Sequence, residues 1–453
     1  MSVGSQTADD DTTLSGAKLT LAVLAAAWLM AFLDRAIIAL LATGIKSSLH
    51  VSDVEIGVLQ GFAFSGIYIV VALPVGWLAD RANRRNILIF GVCCWSLATM
   101  ACGLATTYHE LALGRAMVGL GEACLGPPTV SLVADYFRSG ARGRAMGAVT
   151  AAAAVGTAGS LVLGGLVLRL CGGHAVEIPL IGLTEPWQVT FIVLGAPGLL
   201  VALALLAVRE PARRQASAQA GPVDSSAADF IRILRARWAL FLPVYMALGF
   251  SVFSGFGGNA WGPTVAIRSF GLEASYVGLV MGSIALTVGG VAPLVVGTIS
   301  DWASVRKPGT GRLWTIAVLF LAQLPLTAAW AFLPVSFPQF LALTTLSGFC
   351  NGGLSSSGHV VLQELLPNHR AKAISLFSIL SSVVGMGGGP LVIALITTHV
   401  FHDELMIRYS VAIVALICTT LGLFSILSAI SHLRAVAGRG GGTGVGAPLA
   451  ERA

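Results

Sequence analysis

Charge is what this chain has least of. Asp, Glu, Lys and Arg make up 11% of its 453 residues, whereas 56% are hydrophobic. A soluble domain carries roughly 25% charged residues, so an ordinary water-soluble globule is excluded and lipid is required as a solvent. Metal-ligand spacing is missing as well. The seven cysteines are scattered, six inside apolar runs and Cys171 at the end of one, where free thiols pack as small hydrophobes. No metal, no resident cofactor and no nucleic-acid partner is expected. His109, His174, His359, His369 and the carboxylates form no nucleophile or metal constellation, so an enzyme is not expected either. A cleavable signal peptide is not expected: residues 1–17 are polar with an acidic run at Asp9 to Asp11, and the first apolar run is long enough to span.

What is present is a series of long apolar runs. They are too continuous for barrel strands, which alternate, and a membrane helix needs about 20 residues. The expected spans are 19–45, 54–80, 87–107, 111–136, 143–170, 187–208, 238–267, 274–302, 313–334, 337–365, 371–400 and 406–433. This predicts an all-α membrane protein with twelve transmembrane helices in two six-helix halves, 19–208 and 238–433. A cytoplasmic tail at 1–18, a cytoplasmic linker at 209–237 and a Gly-rich, disordered tail at 434–453 complete the expected organisation. With the N-terminus placed in the cytoplasm, 21 Lys and Arg fall on the cytoplasmic side. Only Lys46, Arg169, Arg268 and Arg408 fall outside, and Arg35 and Arg115 stay within the membrane. By the positive-inside rule both termini are expected in the cytoplasm. Rare lysine with abundant Arg, Ala and Gly points to a bacterial plasma (inner) membrane.

The halves repeat. Gly57 and Gly278, Gly76 and Gly297, and Asp80 and Asp301 share one offset of 221 residues, and Arg142 and Arg370 lie 228 apart. A six-helix repeat marks a two-half transporter with a midplane site.

Gly76-Trp77-Leu78-Ala79-Asp80-Arg81-Ala82-Asn83-Arg84-Arg85 resembles the signature loop G-x-L-x-D-R-x-G-R-R of the major facilitator superfamily. Its physical reading is a cytoplasmic latch. Gly76 would admit a close helix, Asp80 would cap a helix N-terminus, and Asn83 would take the left-handed turn of the usual Gly. Arg81, Arg84 and Arg85 would pair with Asp135, with Arg142 and the second-half Asp301 in the same set. Plain positive-inside retention of these arginines is the simpler reading.

Charges inside the apolar runs carry the chemistry. Asp34-Arg35 lies in span one, and Arg115 and Glu122, seven apart, share one face of span four. Each costs about 2.5–3.5 kcal/mol at the bilayer centre, so such residues face the interior and pair. Asp34 and Glu122 are the expected proton sites, with Arg35 and Arg115 as their partners or as ligands of an anionic substrate. A static ion-pair network is the alternative. Phe32-Leu33-Asp34-Arg35 and Arg115-Ala-Met-Val-Gly119-Leu-Gly121-Glu122-Ala123, with the loop, resemble the Spinster family over roughly residues 30–150.

That resemblance implies a monomeric carrier of lysophospholipid-like amphipaths, working by alternating access with protons as coupling ion. It also implies protonation at Asp34 and Glu122. The second half departs from the family. Span eleven reads Gly385-Met386-Gly387-Gly388-Gly389-Pro390, and no charged residue lies between Arg312 and Glu364. A phosphate headgroup would find fewer partners there, so a small organic or sugar acid is the alternative substrate. A phosphate exchanger would favour matched arginines in both halves, and a non-transporting receptor would not require the buried acids. Asn259, Trp261, Asn351, Ser355 and His359 are the polar candidates for a second-half cavity, against a packing role.

Overall fold

The computed structural model describes residues 14–179, 181–213 and 227–439. Their elements are α1 (Ala17–Leu49), α2 (Asp53–Gln60), α3 (Phe62–Ala79), α4 (Arg84–Cys102), α5 (Tyr108–Ala123), α6 (Gly126–Tyr136) and α7 (Ser139–Leu170). A hairpin of β1 (Val176–Ile178) and β2 (Gly182–Thr184) precedes α8 (Pro186–Leu205) and α9 (Ala227–Ala236). Then come α10 (Trp238–Phe270), α11 (Ala274–Val288), α12 (Val291–Arg306), α13 (Gly311–Phe332) and α14 (Phe337–Leu365). Last are α15 (Arg370–Leu380), α16 (Gly389–Ile396) and α17 (Ile407–Arg439).

Eleven helical spans among the described residues are long and apolar enough to cross a membrane. The twelfth long helix is α14, 29 residues or roughly 43 Å, whose Asn351 and Ser355 to Ser357 lower its hydropathy. Four expected spans prove to be jointed. Span two breaks at Gly61 between α2 and α3, and span eight breaks at Gly290 between α11 and α12. Span four breaks at Cys124–Leu125 just before Gly126-Pro127-Pro128, where proline has no N–H to continue the ladder. Span eleven widens into a π-helix over Ser381–Gly388, overlapping its glycine run and ahead of Pro390.

Several helix starts are specified locally. Ser52 with Glu55, Thr107 with Glu110, Glu185 with Gln188 and Ser336 with Gln339 form capping boxes that open α2, α5, α8 and α14. All four begin spans entering from one end of their unit, where the first N–H groups need partners.

Two compact units are present. One holds residues up to Gly221 together with Gly271–Leu286, and the other holds Pro222–Phe270 with Thr287 onward. In the first, α1 packs on α7, α4 on α5 and α8, and α3 on α5. In the second, α10 packs on α17, α13 on α14 and α17, and α12 on α14. Most of α11 belongs to the first unit, because Gly278 and Gly282 lie against α7: a Cβ on Gly278 would stand 2.7 Å from the Leu161 carbonyl oxygen.

Two boundaries move. Residues 227–236 of the expected linker are helical, and α17 continues through residues 434–439 of the expected disordered tail. The rest of that tail, residues 1–13 and the linker residues 214–226 lie outside the described residues.

Candidate functional site

The four intramembrane charges of the first unit converge. Arg35 donates through Nε to Oε2 of Glu122 at 3.0 Å, and its Nη2 reaches the same oxygen. Both N–H groups meet one carboxylate oxygen, so Oε1 of Glu122 has no hydrogen-bond partner. Asp34 accepts at Oδ2 from the Thr99 hydroxyl at 3.1 Å, while its Oδ1 has none. Arg115 donates to the Asp34 backbone carbonyl at 3.3 Å, and its Nε is buried without a partner. Asp34, Arg115 and Glu122 are each at most 2% exposed. The Arg35 side chain is 21% exposed against 0% for that of Glu122.

An aromatic cage surrounds Arg35. Its guanidinium carbon lies 4.6, 4.8 and 5.6 Å from the ring centroids of Phe32, Phe64 and Tyr68, within cation–π range. Trp28 continues the row, stacked on Phe32 at 5.8 Å. Neither Thr99 nor this cage was anticipated from sequence. The one available signal was the spacing Phe64–Tyr68, a helical i,i+4 pair.

Two glycines hold Glu122 in place. A Cβ on Gly119 would collide with the Phe64 carbonyl oxygen, and one on Gly121 would stand 2.6 Å from the Trp95 nitrogen and 2.7 Å from the Gly91 carbonyl oxygen. The Gly119-Leu-Gly121-Glu122 run thus lets α5 lie against α3 and α4 at once, and that contact carries the carboxylate to Arg35.

The signature loop forms a second network at one end of this unit. Arg84, with 1% of its side chain exposed, pairs with Asp135 and, at 2.6 Å, with Glu210. It also donates to Ser131 at 2.8 Å and to the Pro211 carbonyl at 3.1 Å. The Arg85 backbone N–H donates to Glu210 at 3.1 Å, and Arg213 donates to the Ala79 and Ala82 carbonyls, each at 2.9 Å. Residues 208–213 therefore act as a strap on the loop, where a linker was expected. The charged Arg209-Glu210-Pro211 following an apolar run was the overlooked signal.

Other expectations for this loop are corrected. A Cβ on Gly76 would meet none of the described atoms within 4 Å. Asn83 is not left-handed: with φ −70° it is the N-cap of α4, accepting from the Asn86 N–H at 3.1 Å. Asp80 is exposed. Arg81 stacks on its neighbour Trp77 at 4.3 Å, and Arg142 donates to the Phe137 carbonyl at 3.1 Å.

The second unit carries a looser counterpart. Arg312 pairs with Asp301 at 2.7 Å and Glu364 at 2.8 Å. Arg84 and Arg312 lie 228 residues apart, and Asp135 and Glu364 lie 229 apart, which extends the repeat.

Polar candidates of the second unit turn mostly to packing. Trp261 is fully buried and donates to the Pro390 carbonyl at 2.8 Å, so it does not line open space. Asn351 donates to the Ser251 carbonyl at 3.1 Å, an interhelical bond. The His359 ring meets the Ser355 carbonyl at 2.7 Å and packs edge-on to Phe377. Asn259 and Ser355 are exposed.

Buried charges inside the apolar helices of the first unit, in a chain whose two halves repeat, are the features of a membrane transporter. The model of the Major Facilitator Superfamily matches residues 23–336, and the chain belongs to that superfamily of transporters. Within it the chain is similar to several carriers. It is 29% identical over 385 residues to an MFS-type efflux pump of Mycolicibacterium smegmatis (strain ATCC 700084 / mc(2)155), covering 84% of each chain. It is 26% identical to a probable L-galactonate transporter of Escherichia coli (strain K12), covering 83% of this chain and 82% of the relative. It is 27% identical to spinster homolog 1 of Rattus norvegicus, covering 82% and 71%. Among solved structures, a bacterial homolog of the human lysosomal transporter Spinster superposes with a TM-score of 0.80 at 22% identity, covering 93% of this chain and 99% of that one. This is the fold that the sequence motifs predicted.

Proposed function

We propose that this protein is a proton-coupled secondary transporter of the bacterial inner membrane, working by alternating access on a lysophospholipid-like amphipath. The carrying observation is the asymmetry of the Arg35–Glu122 pair: the arginine is partly open and caged by aromatic rings, and its acid is sealed. An anionic headgroup reaching Arg35 would draw its N–H groups from Glu122. A buried carboxylate stripped of its partner is costly by several kcal/mol, so Glu122 takes up a proton. Occupancy of the site and its protonation are thereby linked. Asp34, bridged through its own backbone carbonyl to Arg115, is the second proton site. Phe32 and Tyr68, both half-buried, offer the apolar surface an amphipath needs. The membrane potential supplies about 2.3 kcal/mol per charge per 100 mV.

The Spinster likeness supports the lysolipid. A second reading, a small organic or sugar acid, is supported by the likeness to the L-galactonate carrier and by the stretch without charge between Arg312 and Glu364. Both arms are tested by assaying lysophospholipid and sugar-acid transport in cells, with and without an imposed pH gradient. Wild type should move the lysolipid in a gradient-dependent way, and correctly inserted Glu122→Gln and Asp34→Asn should lose about tenfold or more of that dependence. Movement of the acid alone would replace the substrate. Gradient-independent transport, unchanged in both variants, would remove the proton coupling.

A further inference from the structure

Helix α9 holds none of the transport-site residues, and one of its faces is exposed among the described residues. Its inner face is fixed: Phe230 is buried in the core of the second unit, Ile233 and Leu234 pack beside it, and the Phe230 ring lies 5.7 Å from that of His369. The opposite face carries Ile231, 47% exposed, Arg232, with 78% of its side chain exposed, and exposed Arg235. Together with Ala236 these residues line an open groove. One residue separates α9 from α10, a membrane span whose first residue, Trp238, is 63% exposed. A helix tethered that closely to a span lies at the depth of the lipid headgroups.

The rest of this end of the unit has the same chemistry. Arg306 stacks on the 56% exposed Trp302 at 4.0 Å, and Arg434 lies 5.2 Å from the Trp314 ring. Tryptophan beside arginine is the composition of a membrane–water interface, with the ring at the ester level and the guanidinium among phosphates.

We propose that the outer face of α9 is a docking surface for anionic phospholipid headgroups, with Arg232 and Arg235 binding the phosphates and Ile231 and Trp238 entering the acyl boundary. The surface is amphipathic and basic, and its charge complements a negative leaflet. The acid within α9 is Asp229, paired with Arg232 at 2.7 Å. An exposed i,i+3 pair of this kind holds weakly and yields to a phosphate. This surface is independent of the Arg35–Glu122 site and of what the carrier moves.

The test is hydrogen–deuterium exchange of full-length protein in nanodiscs of phosphatidylcholine alone and of phosphatidylcholine mixed with phosphatidylglycerol. The α9 amides should exchange roughly thirtyfold more slowly in the anionic lipid, at about one kcal/mol for each of the two arginines. The double variant Arg232→Gln/Arg235→Gln should erase the difference and Arg232→Lys/Arg235→Lys should keep it. Asp229→Asn should widen it. Both arginines are exposed, so the fold survives these changes. Equal exchange in the two lipids, or a difference that persists in the double glutamine variant, would overturn the proposal.

Discussion

A guanidinium withdrawn from water needs its N–H groups answered, and two arginines of the first unit meet that need differently. Arg84 is ringed by Asp135, Glu210, Ser131 and the Pro211 carbonyl. Arg35 turns two N–H groups onto one oxygen of Glu122 and otherwise faces aromatic rings. The first arrangement is saturated and suits a structural clamp; the second has a free acceptor, Glu122 Oε1, beside an opening. Removing a partner of a buried ion costs about 3–5 kcal/mol. Asp135→Asn should therefore lower the melting temperature of detergent-purified protein by several degrees. Glu210→Gln, whose carboxylate is 22% exposed, should cost less. A larger loss from Glu210→Gln would make the strap the principal partner.

The sequence made the members of both networks visible, because any charge in an apolar run must be paired. It did not reveal every partner. Thr99 carries no pattern of its own, Glu210 stands out only as a charge at the end of an apolar run, and both roles come from approaches between distant segments. Trp261 shows the same limit: an indole in a span reads equally as cavity lining or as packing until its burial against Pro390 is known.

At the scale of the helix, the joints of the spans were written in glycine and proline but their purposes were not. Gly76 sits in the signature loop, where a Cβ would meet none of the described atoms within 4 Å, whereas Gly119 and Gly121 are both spent on close approach. Periodicity finds a span and says little about which neighbour it meets. A methyl group at Gly119 must displace the Phe64 backbone, and overpacking of this kind costs about 1–3 kcal/mol. Gly119→Ala should lower the melting temperature and, by shifting α5 away from α3, reduce transport; Gly76→Ala should leave both near wild type. Equal stability of the two variants would mean that α5 is not held by this contact.

The capping boxes were legible in principle, since Ser52-x-x-Glu55 and Thr107-x-x-Glu110 are local patterns. Their loss should cost about 0.5–2 kcal/mol each. Thr107→Ala, read by thermal denaturation, is the direct check.

The orientation we propose for the molecule in the membrane rests on charge, because Lys and Arg divide 21 to 4 between the two sets of loops. The larger set includes Arg84 and its strap, Arg312 with its acids, and the basic face of α9. The smaller set flanks the capping boxes and the β1–β2 hairpin. The positive-inside rule puts the larger set in the cytoplasm. This predicts opposite accessibility for two exposed positions, Leu183 in the hairpin at 77% and Val305 near the end of α12 at 80%. In a chain freed of its native cysteines, a membrane-impermeant maleimide should modify Leu183→Cys in intact cells. Val305→Cys should react only after the membrane is opened. The reverse pattern would turn the molecule over, placing the Arg84 network outside and giving Arg35 the opposite proton supply. Reaction at both positions in intact cells would mean two insertion orientations, and a charge asymmetry this large makes that the costlier arrangement, because arginine-rich loops would then have to cross the bilayer.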